Sequence, residues 1–172
     1  MAHYPESTVK TDFQGIFFRK NNEMTIFLDV DGVLNTSDDW SRRVYSLNPK
    51  CVEAFCFFLE HVDRPKIVLS STWRNGIARD GSTAVHIEEL LDALAPSGIT
   101  GLDRTAVSPD GSRSKEIDYY LRRHDVDEYL ILDDDPTLFE LGSKTKNLYI
   151  TDAKTGFTMK DSKKCLTMYH IR

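Results

Sequence analysis

Residues 27–35 read FLDVDGVLN and form the most informative segment of the chain. The apolar run at 24–28 predicts a buried strand, and two carboxylates one residue apart, Asp29 and Asp31, follow it directly. Ligands of open α/β sheets bind beyond the carboxyl ends of the strands, and Gly32 permits a sharp turn at this point. Because two neighbouring carboxylates repel each other, we expect a divalent cation here, and clustered oxygen ligands suit Mg²⁺.

The composition is that of an ordinary globular protein. The chain has 172 residues, of which 40% are hydrophobic and 28% charged, enough for one domain with a buried core. No apolar run is long enough to span a bilayer and no signal-peptide pattern opens the sequence, so we expect a cytoplasmic protein without a membrane partner. The net charge of −5 argues against a large nonspecific footprint on a polyanion but leaves a local basic patch open.

The apolar run at 66–69 predicts a second strand, which Ser70 and Ser71 follow. Their hydroxyl and backbone N–H groups are suited to donate hydrogen bonds to a transferring phosphoryl group. Arg74 lies a few residues farther on, and its guanidinium is suited to bind a phosphate through two parallel hydrogen bonds. The alternative is that the serines only cap the helix that follows.

Another apolar run, at 128–132, predicts a strand that ends in acidic residues. Asp133 and Asp134 follow it, and a third aspartate comes next. Three adjacent carboxylates are unfavourable without a cation, so this turn is a second candidate source of metal ligands. An exposed acidic turn without a ligand is the alternative.

The segment DVDGVLN at 29–35 resembles the first motif, DxDGxLx, of the haloacid dehalogenase-like (HAD) superfamily of phosphohydrolases. The resemblance implies that Asp29 is the nucleophile, which takes the phosphoryl group as an aspartyl-phosphate. It implies that Asp31 is the general acid and base. It also implies that Mg²⁺ is held by Asp29 and by the backbone carbonyl of Asp31.

The other HAD motifs are matched in the expected order along the chain. Ser70 resembles the hydroxyl of the second motif, which holds a phosphate oxygen, and Asp133 and Asp134 resemble the Mg²⁺-binding acids of the fourth. The third motif is a basic residue near a helix start, for which Arg113 and Lys115 both qualify. For either basic residue, an ordinary exposed charge on the first turn of a helix is the alternative.

Two further patterns resemble a small HAD subgroup associated with nucleic-acid end repair. Residues 113–121 contain RxxEIxxxL, and in that subgroup the arginine lies three positions before the Glu-Ile pair, which favours Arg113 over Lys115. The run TDAKTGFT at 151–158 resembles the end of the same subgroup. This resemblance implies a phosphorylated substrate such as a nucleotide or a nucleic-acid end.

The alternation of predicted strands and helices indicates an α/β protein with a mostly parallel sheet. The resemblance implies a HAD-like Rossmannoid fold in which helices flank the sheet and the strand at 24–28 lies at its centre. The two places where HAD proteins carry cap domains, here 36–45 and 75–112, are too short for a folded domain. We therefore expect a single domain over 1–172 with no large cap, an open site and a loosely attached segment at 1–22.

The remaining elements are predicted from turn residues and apolar spacing. They are an edge strand at 15–18, helices at 49–61, 83–95 and from 113, strands at 105–107 and 147–150, and a closing helix at 159–169. Cys51, Cys56 and Cys165 lack metal-site spacing, so we expect reduced, small core residues.

Three functions remain open at this point. The first is a phosphatase on a nucleotide or nucleic-acid end, with the segment 36–45 as a flap over the site. The side chains considered for that substrate are Trp40, Tyr45 and Trp73 for base stacking and Arg42, Arg43, Arg74 and Arg79 for backbone phosphates. The second is a small-molecule phosphatase, in which those side chains play no part. The third is a non-catalytic HAD-like binding module, for which the paired aspartates would have no use.

Overall fold

The computed structural model of the chain describes residues 23–138 and 146–170. The N-terminal segment 1–22, with the edge strand predicted at 15–18, lies outside the described residues. The strands in the described part are β1 (Met24–Leu28), β2 (Lys66–Leu69), β3 (Leu102–Arg104), β4 (Glu128–Asp133) and β5 (Leu148–Ile150). The helices there are α1 (Ser37–Arg42), α2 (Pro49–Glu60), α3 (Val85–Leu94), α4 (Arg113–His124) and α5 (Met159–His170).

The strands of the described part form one parallel sheet in the order β3-β2-β1-β4-β5. β1 lies at the centre, where Phe27 is paired with Val68 of β2 and with Ile131 of β4. All of β1 is buried, because a central strand of a parallel sheet is covered on both faces. The predicted α/β, HAD-like architecture, with a parallel sheet flanked by helices, is confirmed.

Alternate side chains of β1 contribute to separate cores on the two faces of the sheet. Ile26 and Leu28 belong to a large cluster that includes residues of α2, α3 and α5. Phe27 belongs to a smaller cluster with Ile117 and Tyr120 of α4. Helices therefore cover both faces, and the carboxyl edge of the sheet remains for the loops that follow each strand.

Helix α2 begins as the sequence predicts. Asn48 is its N-cap and accepts a hydrogen bond from the backbone N–H of Lys50, and Pro49 occupies the first helical position. His61 follows the last turn, with its Nδ1 2.7 Å from the carbonyl oxygen of Phe57. His61 therefore occupies the C-cap position of this helix.

Two boundaries differ from the sequence-based prediction. A strand was predicted at 105–107, but β3 ends at Arg104. Its pairing with β2 stops at Leu69, and beyond it only the backbone N–H of Thr105 still donates to the carbonyl oxygen of Leu69. Helix α3 begins at Val85 and not at 83. The reason is that residues 77–83 form a short antiparallel turn, in which Ile77 bridges to Thr83.

The segment 36–45, for which a flap over the site and an ordinary surface loop were the alternatives, contains helix α1. Thr36 and Asp39 form a reciprocal capping box at its start, in which each side chain accepts a hydrogen bond from the other residue's backbone N–H. This pair was overlooked because the segment has no apolar periodicity. Over residues 23–138 both places for a cap hold only such short elements, so the expected lack of a large cap is confirmed there.

Two findings bear on the expectations from composition. The three cysteines are free, as predicted, and Cys51 and Cys165 are buried in the core region while Cys56 is half-buried. Among the described residues, no helix combines the length and the apolar character needed to cross a membrane.

Candidate active site

Three neighbouring strands end in polar side chains at one edge of the sheet. Asp29 follows β1, Ser70 follows β2, and Asp133 is the last residue of β4. The ladder continues one step past β1, since the backbone N–H of Asp29 donates to Leu132 O and that of Ser70 donates to Leu28 O. The parallel sheet thus fixes the backbone that carries each of these side chains.

Asp29, Asp133 and Asp134 form an acidic cluster at this edge. One carboxylate oxygen from each lies within 4.8 Å of the others. Arg113, the first residue of α4, forms an ion pair with Asp133, and its Nη1 lies 3.5 Å from Oδ2 of Asp29. One guanidinium is therefore shared by the candidate nucleophile and a candidate metal ligand.

Burial and mutual repulsion alter the acidity of the cluster. Burial raises the pKa of Asp29 to about 7, with further increases from Asp133 and Asp134 that outweigh the opposing effect of Arg113. Burial also raises the pKa of Asp133 and of Asp134. Burial would lower the pKa of Arg113, but the facing carboxylates raise it. The cluster holds more negative charge than one arginine balances.

These residues fit a divalent cation of the hard, oxygen-binding type. Three carboxylates within reach of one ion are the donor set that Mg²⁺ prefers, and their raised pKa values indicate that a positive charge is needed to keep them all ionised. HAD proteins generally use Mg²⁺, and Asp29, Asp133 and Asp134 are the side chains suited to hold it. The side chain of Asp31 is not in this cluster, which leaves its backbone carbonyl as the predicted contribution.

Gly32 brings the first loop close to the acidic cluster. Its φ of +77° lies in the region that favours glycine, and a Cβ at this position would overlap the carboxyl group of Asp134. Thr151 donates a 2.7 Å hydrogen bond from its Oγ1 to Gly32 O. Through this hydrogen bond the TDAKTGFT run stabilises the loop of the first motif. The resemblance of the run to the HAD subgroup does not by itself reveal this role.

The carboxylate of Asp31 is fixed by two donors. Asn35 donates to Oδ1 from Nδ2 at 2.8 Å, and Trp73 donates to Oδ2 from Nε1 at 3.1 Å. Asn35 also accepts a 2.9 Å hydrogen bond from the backbone N–H of Gly32, so it closes the motif loop on itself. Both neighbours were missed from the sequence, although Asn35 ends the quoted motif.

Trp73 is fully buried, so it has no face available for a nucleic-acid base. The idea that it stacks on a substrate base is wrong, because its ring belongs to the large core and its N–H points to Asp31. Tyr45 packs edge-on against it at a centroid distance of 5.3 Å and stacks on His86 at 4.0 Å. Trp73 thus packs against Tyr45 and donates a hydrogen bond to Asp31.

The two serines after β2 have different surroundings. Ser71 is the N-cap of the 3-10 turn Thr72–Gly76, where its Oγ accepts from the backbone N–H of Trp73. Ser70 is fully buried, and its Oγ has no hydrogen-bond partner among the described residues. A buried hydroxyl without a partner is unfavourable. The Ser70 hydroxyl can therefore still donate to a ligand, whereas the Ser71 hydroxyl is already bonded to the backbone of Trp73.

Arg74 was predicted to bind phosphate, but its guanidinium is bound to groups within the chain. It forms a two-pronged ion pair with Glu116 at 2.7 and 3.0 Å, and both side chains are largely buried. Its Nη1 also donates to Ser70 O and to Thr105 Oγ1. Arg74 therefore positions the loop that carries Ser70, and Glu116, the glutamate of the RxxEIxxxL pattern, is the partner that sequence reasoning missed.

The two basic candidates of the third motif point to different places. Arg113 faces Asp29 and Asp133, as described above. Lys115 is exposed and places its Nζ beside the carboxylate of Asp110 in the preceding turn. The structure therefore brings only Arg113 to the acidic cluster, in agreement with the preference from the subgroup pattern.

The parallel sheet, the acidic cluster and the unpartnered Ser70 hydroxyl define a HAD-type, phosphohydrolase-like domain. Over residues 25–162 the chain matches the family described as "HAD domain in Swiss Army Knife RNA repair proteins". This match covers most of the chain, and the chain belongs to that family. Comparisons with curated proteins and with solved structures gave no match.

Proposed function

We propose that the protein is a Mg²⁺-dependent phosphatase that removes a phosphomonoester from a nucleotide or nucleic-acid end through an aspartyl-phosphate on Asp29. The observation that carries the proposal is the position of Asp29 itself. Its carboxylate lies in the acidic cluster, 3.5 Å from Arg113, and the neighbouring strand is followed by Ser70, whose hydroxyl has no hydrogen-bond partner among the described residues.

The first half of the reaction transfers the phosphoryl group to the enzyme. A carboxylate oxygen of Asp29 forms a bond to phosphorus as the bond to the leaving oxygen breaks, and Asp31 gives that oxygen a proton. Mg²⁺, when held by Asp29, Asp133 and Asp134, supplies positive charge that keeps Asp29 ionised beside an anionic substrate. Arg113 and Ser70 donate to the oxygens of the transferring group, where the negative charge is spread.

The second half releases inorganic phosphate. Asp31, now ionised, takes a proton from a water molecule, whose oxygen attacks phosphorus and breaks the bond to Asp29. Asn35 and Trp73 hold both oxygens of Asp31 in place through each half. The orientation of this carboxylate is therefore set before substrate binds, which reduces the entropy cost of the proton transfers.

Two observations favour a nucleic-acid end as the substrate. The family description refers to RNA repair proteins, and over residues 23–138 the cap positions hold only short elements. A terminal phosphate on a long chain can reach an uncapped sheet edge, whereas a small metabolite gains most from an enclosing pocket.

The test is Mg²⁺-dependent phosphate release from a panel of esters. The panel contains 3′- and 5′-phosphorylated oligonucleotides, mononucleotides, sugar phosphates and a generic aryl phosphate. Asp29→Asn should abolish release, whereas Asp38→Asn, an exposed carboxylate in the first turn of α1, should release phosphate like the wild type. Near-normal turnover by Asp29→Asn would contradict the mechanism, and a preference for sugar phosphates would contradict the nucleic-acid substrate.

A further inference from the structure

A groove of about 560 Å³ lies along one side of the molecule, between the region of β3 and helix α4. We call it the β3–α4 groove. Its floor comes from β3, the edge strand of the sheet, and from the residues that follow it, while its wall comes from the C-terminal half of α4. The side chains on which the argument depends are Arg79, Arg104, Thr105, Tyr119 and Arg123.

The charge of the groove is opposite to that of the chain as a whole. Among the described residues that line it are three arginines, Arg79, Arg104 and Arg123, and a single carboxylate, Asp103. None of these arginines forms an ion pair within the described part of the chain. A positive groove on a chain of net charge −5 indicates an anionic ligand, since local complementarity concentrates such a ligand there.

The one carboxylate already has partners within the chain. Asp103 accepts a 2.6 Å hydrogen bond from Tyr120 OH and one from its neighbour's backbone N–H, and Lys66 Nζ lies 3.6 Å away. These donors lower the pKa of Asp103 in spite of its partial burial. Asp103 therefore stays ionised, but its charge is paired with Lys66, and three arginines face this one carboxylate in the groove.

One residue, Thr105, links the groove to the loop that carries Ser70. Thr105 lines it, and the backbone N–H of Thr105 donates to the carbonyl of Leu69, the residue before Ser70. The same guanidinium nitrogen of Arg74 contacts Thr105 Oγ1 at 3.0 Å and Ser70 O at 2.9 Å. Residues 105–107 line the groove and follow β3, so this end of the groove lies toward the carboxyl edge of the sheet, where a bound polyanion would present its terminal group.

An exposed aromatic ring stands at the rim. Tyr119 is 47% exposed, and its hydroxyl accepts a 2.9 Å hydrogen bond from Arg123 Nη1, so the ring and the cation lie side by side. Exposed aromatic rings beside arginines are suited to bind single-stranded nucleic acid, because bases stack on the rings and phosphates pair with the cations.

We propose that the β3–α4 groove binds a single strand of nucleic acid whose terminal phosphate enters the site at Asp29. The proposal rests on the proposed function and names the surface that holds its substrate. It differs from the surface considered from the sequence, in which Arg74 is held in a buried ion pair with Glu116 and Arg43 lies beside Glu89. Of the arginines considered there, only Arg79 lines the groove.

The test measures binding separately from catalysis. A short single-stranded oligoribonucleotide with a terminal phosphate, labelled at its other end, is titrated with the full chain and followed by fluorescence anisotropy at several salt concentrations. The groove variant is Arg79→Gln with Arg123→Gln. The matched control is Arg64→Gln with Arg122→Gln, two exposed arginines that do not line the groove, one of them on the same helix.

The groove variant should bind roughly tenfold more weakly than the wild type, and its slope of log affinity against log salt should fall by about 1.4, as expected for two lost phosphate contacts on a single strand. The control variant should keep the wild-type affinity and slope. Tyr119→Leu should weaken binding about fivefold or more, whereas Tyr119→Phe, which keeps the ring, should bind like the wild type.

The outcomes separate the two proposals. If the wild type dephosphorylates oligonucleotides but the groove variant binds them as tightly as the control variant does, the groove is excluded and the proposed function stands. If no ester in the panel is hydrolysed, the proposed function fails, and the anisotropy measurement still decides whether the groove binds the strand. Equal loss in the groove and control variants would indicate a diffuse charge effect and overturn the groove assignment.

Discussion

The indole Nε1 of Trp73 donates a 3.1 Å hydrogen bond to Oδ2 of Asp31, which joins two residues 42 positions apart in the sequence. The tryptophan is fully buried and edge-on to Tyr45, so its ring cannot turn away from the carboxylate. The orientation of the candidate general acid therefore depends on a core residue, and not only on the loop that carries the acid.

Replacing Trp73 with phenylalanine should lower kcat about tenfold, because the aromatic volume is mostly kept while a hydrogen bond to a charged group is lost. Steady-state kinetics on the best substrate of the ester panel provides the measurement. Trp40→Phe, at the other tryptophan of the chain, keeps an aromatic ring there; it is the control and should retain wild-type kcat. A wild-type kcat in Trp73→Phe would show that Asn35 alone orients Asp31.

The two basic residues at the start of α4 should respond differently to the same substitution. Arg113→Gln removes the cation shared by Asp29 and Asp133 and should lower kcat/KM about a hundredfold or more. Lys115→Gln removes an exposed cation that faces Asp110 and should leave kcat/KM within about twofold of the wild type. The opposite result, with Lys115→Gln the impaired variant, would assign the third motif to Lys115.

The ends of β1, β2 and β4 were predicted correctly because each is a local pattern. In each case an apolar run predicts the strand, and the residue that ends the run, Asp29, Ser70 or Asp133, is thereby placed at the carboxyl edge of the sheet. The pairing of Arg74 with Glu116 was not predictable in the same way, since it joins residues 42 positions apart. Its formation depends on where α4 docks against the sheet.

Whether an aromatic side chain is buried or exposed could not be predicted from its neighbours in the sequence either. Trp73 follows a strand and precedes a glycine-containing loop, a pattern shared by exposed and buried tryptophans alike. Only the packing of β1, α3 and the 3-10 turn at Thr72–Gly76 places it in the core. The arginines of the β3–α4 groove, likewise, are brought together from three separate segments of the chain.

The ion pair between Arg74 and Glu116 should be important for stability. Glu116 is 3% exposed and also accepts a 2.8 Å hydrogen bond from the backbone N–H of Ser108. Glu116→Gln leaves a buried arginine without its counter-charge and should lower the free energy of unfolding by about 3 kcal/mol. Urea denaturation measures this change.

Glu89→Gln is the matched control, since Glu89 pairs with Arg43 and the two side chains are 44% and 68% exposed. Its free energy of unfolding should change by less than about 1 kcal/mol. Equal effects of the two substitutions would show that the buried pair contributes no more than the exposed one does.

Mg²⁺ should stabilise the protein more at alkaline than at acidic pH. Burial raises the pKa of Asp29 from 3.8 to about 7, so the metal-free folded state holds this proton more tightly than the unfolded state does. That contribution to stability is fully present below about pH 4 and is lost as the pH rises through 7. Mg²⁺ competes with the same proton, and ionised carboxylates bind it best.

At pH 8 a saturating concentration of Mg²⁺ should therefore raise the Tm by about 5 °C or more over a sample in EDTA. At pH 5.5 the increase should be less than about half as large, because protonated Asp29 is a poor ligand. Asp29→Asn should show a smaller and less pH-dependent increase, whereas Asp38→Asn should behave like the wild type. An equal Tm increase at both pH values in the wild type would show that Mg²⁺ binds without displacing the Asp29 proton.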